Sequence, residues 1–287
     1  MKWRRGAGGG QVEDRRGAGG LGGMPLPLGI GGGGIGLVIL LLYLFLGGGA
    51  GGVPVDPRVD AFPQAPEAQG KTGVPAEDDE AQFVAYVVAD VQQTWKEIFE
   101  RAGRTYESTR LVLFDAPTRT GCGIGSPATG PFYCPADHKV YLDLGFFREL
   151  SQRFGAPGDF ARAYVIAHEF GHHVQNVMGV SRDVRAEQQA SPDRANELQI
   201  RMELQADCLA GVWGHTAYAQ GELEQGDLEE GLAAAAAVGD DRLQRQGTGR
   251  IDRESWTHGS SEQRVSWFRK GFDKGDPGSC DTFSGGV

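Results

Sequence analysis

His168-Glu169-Phe170-Gly171-His172 lies inside DFARAYVIAHEFGHHVQNVM, the run from Asp159 to Met178, and the reading of that run decides the fold and the chemistry. At about 100° of helical rotation per residue, His168 and His172 fall about 40° apart on one face. Each can then give a ring nitrogen to one metal ion, zinc by ligand type, with Glu169 beside them to handle a proton. The neighbouring His173 is turned about 140° from His168 and is not expected to be a ligand.

The surrounding pattern is helical. Phe160, Tyr164, Ala167, Gly171 and Val174 recur at spacings of three and four, the signature of a buried stripe. Asp159 is the expected N-cap and Gly179 the expected stop. Gly171 inside a helix costs about 1 kcal/mol relative to alanine, so its presence predicts that something approaches the backbone there, an adjacent strand or the metal site itself.

Two histidines leave a tetrahedral zinc site short of one protein ligand and one open position. Glu203 is the expected third ligand, carried by a second helical run over 191–219. Asp207 stands at i+4 from Glu203, so one carboxylate can reach the metal while the other accepts a hydrogen bond from a ligand histidine and fixes its tautomer. About thirty residues separate the two motifs, enough for a helix, a loop and a second helix beside the first.

The combination of HEFGH with a downstream Glu-x-x-x-Asp helix resembles the gluzincin arrangement. The wider string GPFYCPADHKVYLDL (130–144), HEFGHHVQ, ELQADCLAG and THGSSEQRVSWF (257–268), with the basic start MKWRRG…VEDRRG, resembles the bacterial putative neutral zinc metallopeptidase family. The likeness runs from end to end apart from the Gly-rich stretches at 6–10 and 17–36 and the linker after the apolar run. It implies His168, His172 and Glu203 as Zn²⁺ ligands, Glu169 as the catalytic residue, and a zinc-dependent metallopeptidase, of the metalloendopeptidase kind, acting on a peptide or protein substrate.

In such a site the zinc acidifies water and polarises a peptide carbonyl, while Glu169 moves the proton to the leaving amine. A donor aimed at the developing oxyanion is also needed. His258, Tyr218 and His215 are the candidates, and His258 is favoured because Thr257-His258-Gly259-Ser260-Ser261 opens the final helix as a loop. Arg110 to Phe114 and Lys139 to Leu144 read as strands, with either an open edge for an extended substrate or none. The Gly/Pro-rich loop between them, 120–136, is expected to wall a cleft.

The expected fold class is α+β: a mostly helical zincin-like metallopeptidase domain with a small sheet, preceded by one transmembrane helix. Four segments are expected: a basic cytoplasmic segment (1–28), an anchor or signal peptide (29–49), a flexible Pro/Gly/Ala linker (50–76) and the metallopeptidase domain (77–287). Further helices are read over 77–103, 227–246 and 260–272. Residues 1–28 hold five cations against two anions, a net of +3, which leaves −13 of the total −10 on the rest. Positive charge ahead of the apolar run Ile30 to Leu46 orients the amino terminus inward. An uncleaved anchor is favoured over a signal peptide because 29 residues is long for an n-region. The expected location is therefore the cell membrane, single-pass, with the catalytic domain extracytoplasmic.

Four cysteines allow three pairings. Cys122 and Cys134 bracket the Gly/Pro-rich loop that a disulfide could close, and Cys208 and Cys280 would then tie the Glu203 helix to the carboxyl tail. A four-cysteine zinc site has no C-x-x-C spacing to support it. The Gly-rich segments lack the Gly-Lys-Ser/Thr of a phosphate loop and precede no strand-to-helix unit. An acidic domain offers no extended basic face, so no nucleic-acid partner is expected. The competing function is a non-catalytic zinc-dependent binding or scaffold protein of the cell envelope. It differs in whether Glu169 is needed for turnover.

Overall fold

A computed structural model describes residues 1–17, 70–247 and 251–285. The expected α+β class holds: helices predominate around a small mixed sheet. Strands β1 (Val12–Asp14), β2 (Lys71–Thr72), β3 (Leu111–Leu113), β6 (Phe132–Cys134) and β7 (Lys139–Leu142) lie in the order β2-β1-β3-β7-β6. β1, β3 and β7 run parallel, with Leu111 opposite Val12 on one side and Val140 on the other. β2 and β6 close the two edges antiparallel. β4 (Thr118–Thr120) and β5 (Gly123–Gly125) form a separate hairpin. Parallel strands are covered on both faces, and all three residues of β3 are buried. Leu111 and Leu113 face the main core, while Val112 packs with Phe114, Cys134 and Tyr141 on the other side.

The two segments read as strands are β3 and β7, and both are interior. The sheet edge towards the metal-motif helix is β6, inside the stretch expected to be a loop. Its three residues are too short for an alternating pattern to stand out from the surrounding glycines and prolines.

Helix α1 (Asp79–Arg101) begins at Asp78, whose side chain accepts from the Ala81 amide. Its first-turn carboxylates Asp79 and Glu80 suit the positive end of the helix dipole. Phe83, Val87, Val91, Trp95 and Phe99 are all buried, as their four-residue spacing requires. Helix α2 (Gly145–Gln152) follows β7, and α3 (Asp159–Met178) carries the histidine motif. The N-cap of α3 is Gly158 rather than Asp159, whose carboxylate instead binds the Met1 ammonium at 2.6 Å. Gly179 ends α3 with φ +86, as expected. The chain then re-enters a helix at once, α4 (Val180–Ala190), before α5 (Ala195–Ala219). The single helix expected over 191–219 is thus preceded by one that was not foreseen. α4 buries only Val184, so its apolar period is faint.

The helix expected over 227–246 is broken into α6 (Asp227–Ala237) and α7 (Asp240–Gly247). At the break a Cβ on Gly239 would lie 2.4 Å from the Ser261 amide nitrogen. The chain must turn there against the start of α8 (Ser261–Lys274), whose Ser260–Gln263 capping box fixes its first turn. α5 and α8 cross in near backbone contact: a Cβ on Gly271 would lie 1.9 Å from the Cys208 carbonyl oxygen. The Cys208–Cys280 disulfide fastens that crossing, and Cys122–Cys134 closes the loop, the pairing expected.

Residues 1–17 differ from the expectation of a separate basic segment. β1 pairs with β2 and β3 inside the sheet, Val12 is fully buried and Met1 nearly so. The arginines read as topology signals are ion-paired: Arg15 with Glu13, and Arg16 with Asp14 and Asp78. Residues 1–17 thus fold as part of the main domain. The expected anchor at 29–49 and most of the 50–76 linker lie outside the described residues. Among the described residues no helix is long and apolar enough to cross a membrane.

Candidate metal centre

Helix α3 is buried on nearly every side rather than along one stripe, because α1, α5, α6 and the sheet all pack against it. Gly171 makes this possible on the α5 side, where a Cβ would lie 2.9 Å from the Ala206 carbonyl oxygen. The close approach predicted from this glycine is therefore to a helix backbone. It brings Glu203 opposite the histidine pair.

The imidazole Nε2 of His168 lies 3.2 Å from Glu203 Oε2, and that of His172 lies 3.5 Å from Glu203 Oε1. A tetrahedral zinc ion with ligand arms of about 2.0–2.1 Å separates its ligands by about 3.3 Å. These three residues offer ligand atoms that all lie within 4.8 Å of one another, and no fourth metal-binding side chain joins them among the described residues. Two imidazole nitrogens and one carboxylate oxygen also form the donor set of known catalytic zinc sites. The residues present fit zinc.

The tautomers fit as well. His168 Nδ1 lies 2.8 Å from Asp207 Oδ1, and His172 Nδ1 lies 2.8 Å from Gln175 Oε1. Both acceptors hold the proton on Nδ1, which frees both Nε2 atoms for a metal. Gln175 is itself fixed, donating to the Met202 carbonyl and to Gln205 Oε1. His173 faces away, as expected: Nε2 donates to the Glu107 carbonyl at 2.6 Å and Nδ1 accepts from Tyr133 Oη. Burial pushes His173 down to about 4, which keeps it neutral.

The electrostatics of the pocket call for positive charge. Burial disfavours a charged His168, yet Asp207 and Glu203 outweigh it and push the imidazole up to about 10. Burial likewise works against the Glu203 carboxylate, but His172 and His168 hold it well below the usual carboxylate range. A cation placed between these groups satisfies the same field. Glu169, one residue from His168 and buried, is held above the ordinary carboxylate range by burial, with the two histidines pulling the other way.

His258 lies in the loop before α8. Asp240 Oδ2 accepts the backbone N–H groups of Thr257, His258 and Gly259, and Asp240 Oδ1 lies 3.1 Å from His258 Nδ1. Burial opposes charge on His258, but Asp240 and the Glu203 charge raise its pKa. That influence of Glu203 puts His258 within electrostatic reach of the centre. Tyr218 and His215 are not brought to it. They follow Glu203 on α5 by 15 and 12 residues, about 22 and 18 Å along the axis. His215 bonds the Phe272 carbonyl and Tyr218 is exposed.

Four residues around the centre were not foreseen: Tyr164, Gln175, Asp240 and Arg264. Tyr164 and Gln175 had a signal, since they stand four residues before His168 and three after His172, on the same face. Arg264 comes from a helix almost sixty residues beyond Asp207. It donates from Nε to Asp207 Oδ2 at 2.7 Å and from Nη2 to Asp207 Oδ1 at 2.9 Å.

The chain is 55% identical over 210 residues to the uncharacterized protein YpfJ of Escherichia coli (strain K12), covering 73% of each chain. It is 43% identical over 242 residues to the uncharacterized protein Rv2575 of Mycobacterium tuberculosis (strain ATCC 25618 / H37Rv), covering 80% of each. No solved structure matches it. The model of the family described as "Putative neutral zinc metallopeptidase" matches residues 1–283, β1 and the final helix included. The chain belongs to the putative neutral zinc metallopeptidase family.

Proposed function

We propose that this protein is an extracytoplasmic zinc metallopeptidase that hydrolyses peptide bonds, with His168, His172 and Glu203 as zinc ligands and Glu169 as the general base. The observation that carries the reading is the three-ligand set itself. A structural zinc site is closed by four protein ligands, whereas three with a neighbouring carboxylate leave a position for reactants. Zinc held there supplies a Lewis acid that polarises a peptide carbonyl and acidifies water at the open position.

The chain's own groups supply the rest. Glu169, with its affinity for protons raised by burial, accepts a proton from the attacking water on a carboxylate oxygen and delivers it to the leaving amine. His258, oriented by Asp240 through Nδ1, presents Nε2 as a donor for the charge that develops on the former carbonyl oxygen. Asp207 keeps His168 in its metal-binding tautomer. β6 is the sheet edge packed against α3, and an extended peptide substrate could add along that edge. Two disulfides support an oxidising compartment outside the cytoplasm. Membrane attachment through 29–49 rests on the sequence alone.

The test measures bound zinc and cleavage of a mixed peptide library by the full chain, since β1 is drawn from residues 12–14. Glu169→Gln is expected to retain zinc and lose cleavage. Full zinc with no cleavage by either form would instead favour a non-catalytic, zinc-dependent envelope protein.

A further inference from the structure

We infer that Arg264 is a positioning residue of the metal centre: its guanidinium fork locks the Asp207 carboxylate in the plane that orients His168, tying zinc affinity to the carboxyl-terminal helix. The inference rests on the proposed zinc site and adds a residue from α8 to it.

Asp207 is fully buried, and its carboxylate receives four donors. Oδ1 accepts from Tyr164 Oη, from His168 Nδ1 and from Arg264 Nη2, while Oδ2 accepts from Arg264 Nε. Four is about the full capacity of a carboxylate. The two parallel bonds from arginine fix the carboxylate plane as well as its position, which a single donor cannot do. Nη2 also reaches Tyr164 Oη at 3.3 Å, and Nη1 donates to the Val238 carbonyl at 3.1 Å. Arg264 is thus anchored at both ends of its fork. One guanidinium joins α3, α5, the end of α6 and α8.

Its position is costly. Arg264 lies four residues after the Ser260 N-cap, near the positive end of the α8 dipole, where a cation is disfavoured. It is also almost fully buried, and a buried ion pair gives little net stability over a well-packed apolar pair. Packing alone therefore gives no reason for an arginine here. The fork's effect on Asp207, and through it on the ring of His168, does.

The test uses the full chain and measures zinc affinity by competition with a chelator, together with the absorption spectrum of the cobalt-substituted protein. Arg264→Lys keeps the charge but loses the fork. It is expected to bind zinc about tenfold more weakly, the low end of what loss of an outer partner costs, with an altered cobalt spectrum. If Arg264 acts through Asp207, Arg264→Gln adds little to Asp207→Asn, and that uncharged pair of substitutions also avoids leaving a lone buried charge. Unchanged zinc affinity and cobalt spectrum in Arg264→Lys overturn the inference. So does a full additive loss when Arg264→Gln is combined with Asp207→Asn, which decides the matter if Arg264→Lys does not fold. Absence of zinc binding by the native chain would instead strike the proposed function.

Discussion

Gly171→Ala tests how closely the metal centre depends on the approach of two helices. The added Cβ would meet the Ala206 carbonyl oxygen at 2.9 Å, its Cα at 3.1 Å and its Cβ at 3.3 Å. Ordinary contact begins at 3.4 Å, so α3 and α5 must part by about 0.5 Å at this point, the difference between 3.4 and 2.9. Alanine gains about 1 kcal/mol in helix propensity. Overpacking against a backbone that cannot rotate away costs about 1–3 kcal/mol. The metal-free protein should therefore be between unchanged and about 2 kcal/mol less stable in denaturant unfolding. Zinc binding should suffer more. The proposed ligands His172 and Glu203 flank this contact, and a ligand arm of about 2 Å does not stretch by a quarter of its length. Chelator competition should show at least a tenfold loss of affinity, about 1.4 kcal/mol. A variant about 1 kcal/mol more stable than the native chain, with native zinc affinity, would refute the reasoning, because it would mean that the helices have slack.

Two further predictions concern parts of the fold away from the centre. Burial holds the Asp90 carboxyl up to about 6 from 3.8, even though it accepts a hydrogen bond from Trp213 Nε1. The native state therefore binds more protons than the unfolded one between these pH values, and stability falls as pH rises from 3.8 to about 6. Above that range the ionised group costs up to about 3 kcal/mol. Asp90→Asn keeps an acceptor for Trp213, so it should be the more stable form at neutral pH, with its advantage vanishing as pH falls towards 4. A pH-independent difference in denaturant midpoint would contradict this. Removal of residues 1–17 takes β1 from between β2 and β3 and exposes new sheet edges. The remaining chain should unfold earlier and self-associate, with both effects reversed by a peptide of residues 1–17. A monomeric truncated chain with the native thermal midpoint would show that β1 is dispensable.

The sequence by itself determined what depends on short-range spacing. Four residues of helix bring His168 and His172 onto one face, and the same interval couples Glu203 to Asp207, so the residues that cluster at the proposed centre could be picked out. The helix stop at Gly179 and the cysteine pairing were legible for the same reason: each follows from residues in sight of one another or from a loop that asks to be closed. What tertiary structure alone decided is how distant segments share space. β1 joins the sheet by pairing with strands about sixty and a hundred residues away, and three residues carry too little pattern to announce it. The arginines at 15 and 16 read as membrane signals although Glu13 and Asp14 stand two residues before them; Asp78, the further partner of Arg16, is brought in only by the fold. Arg264 reaches Asp207 because Gly211 and Gly271 let α5 and α8 touch backbone to backbone. Periodicity records which face of a helix is buried, but not which helix buries it. The partner is chosen by the fit of whole surfaces, and that fit exists only once the chain has folded.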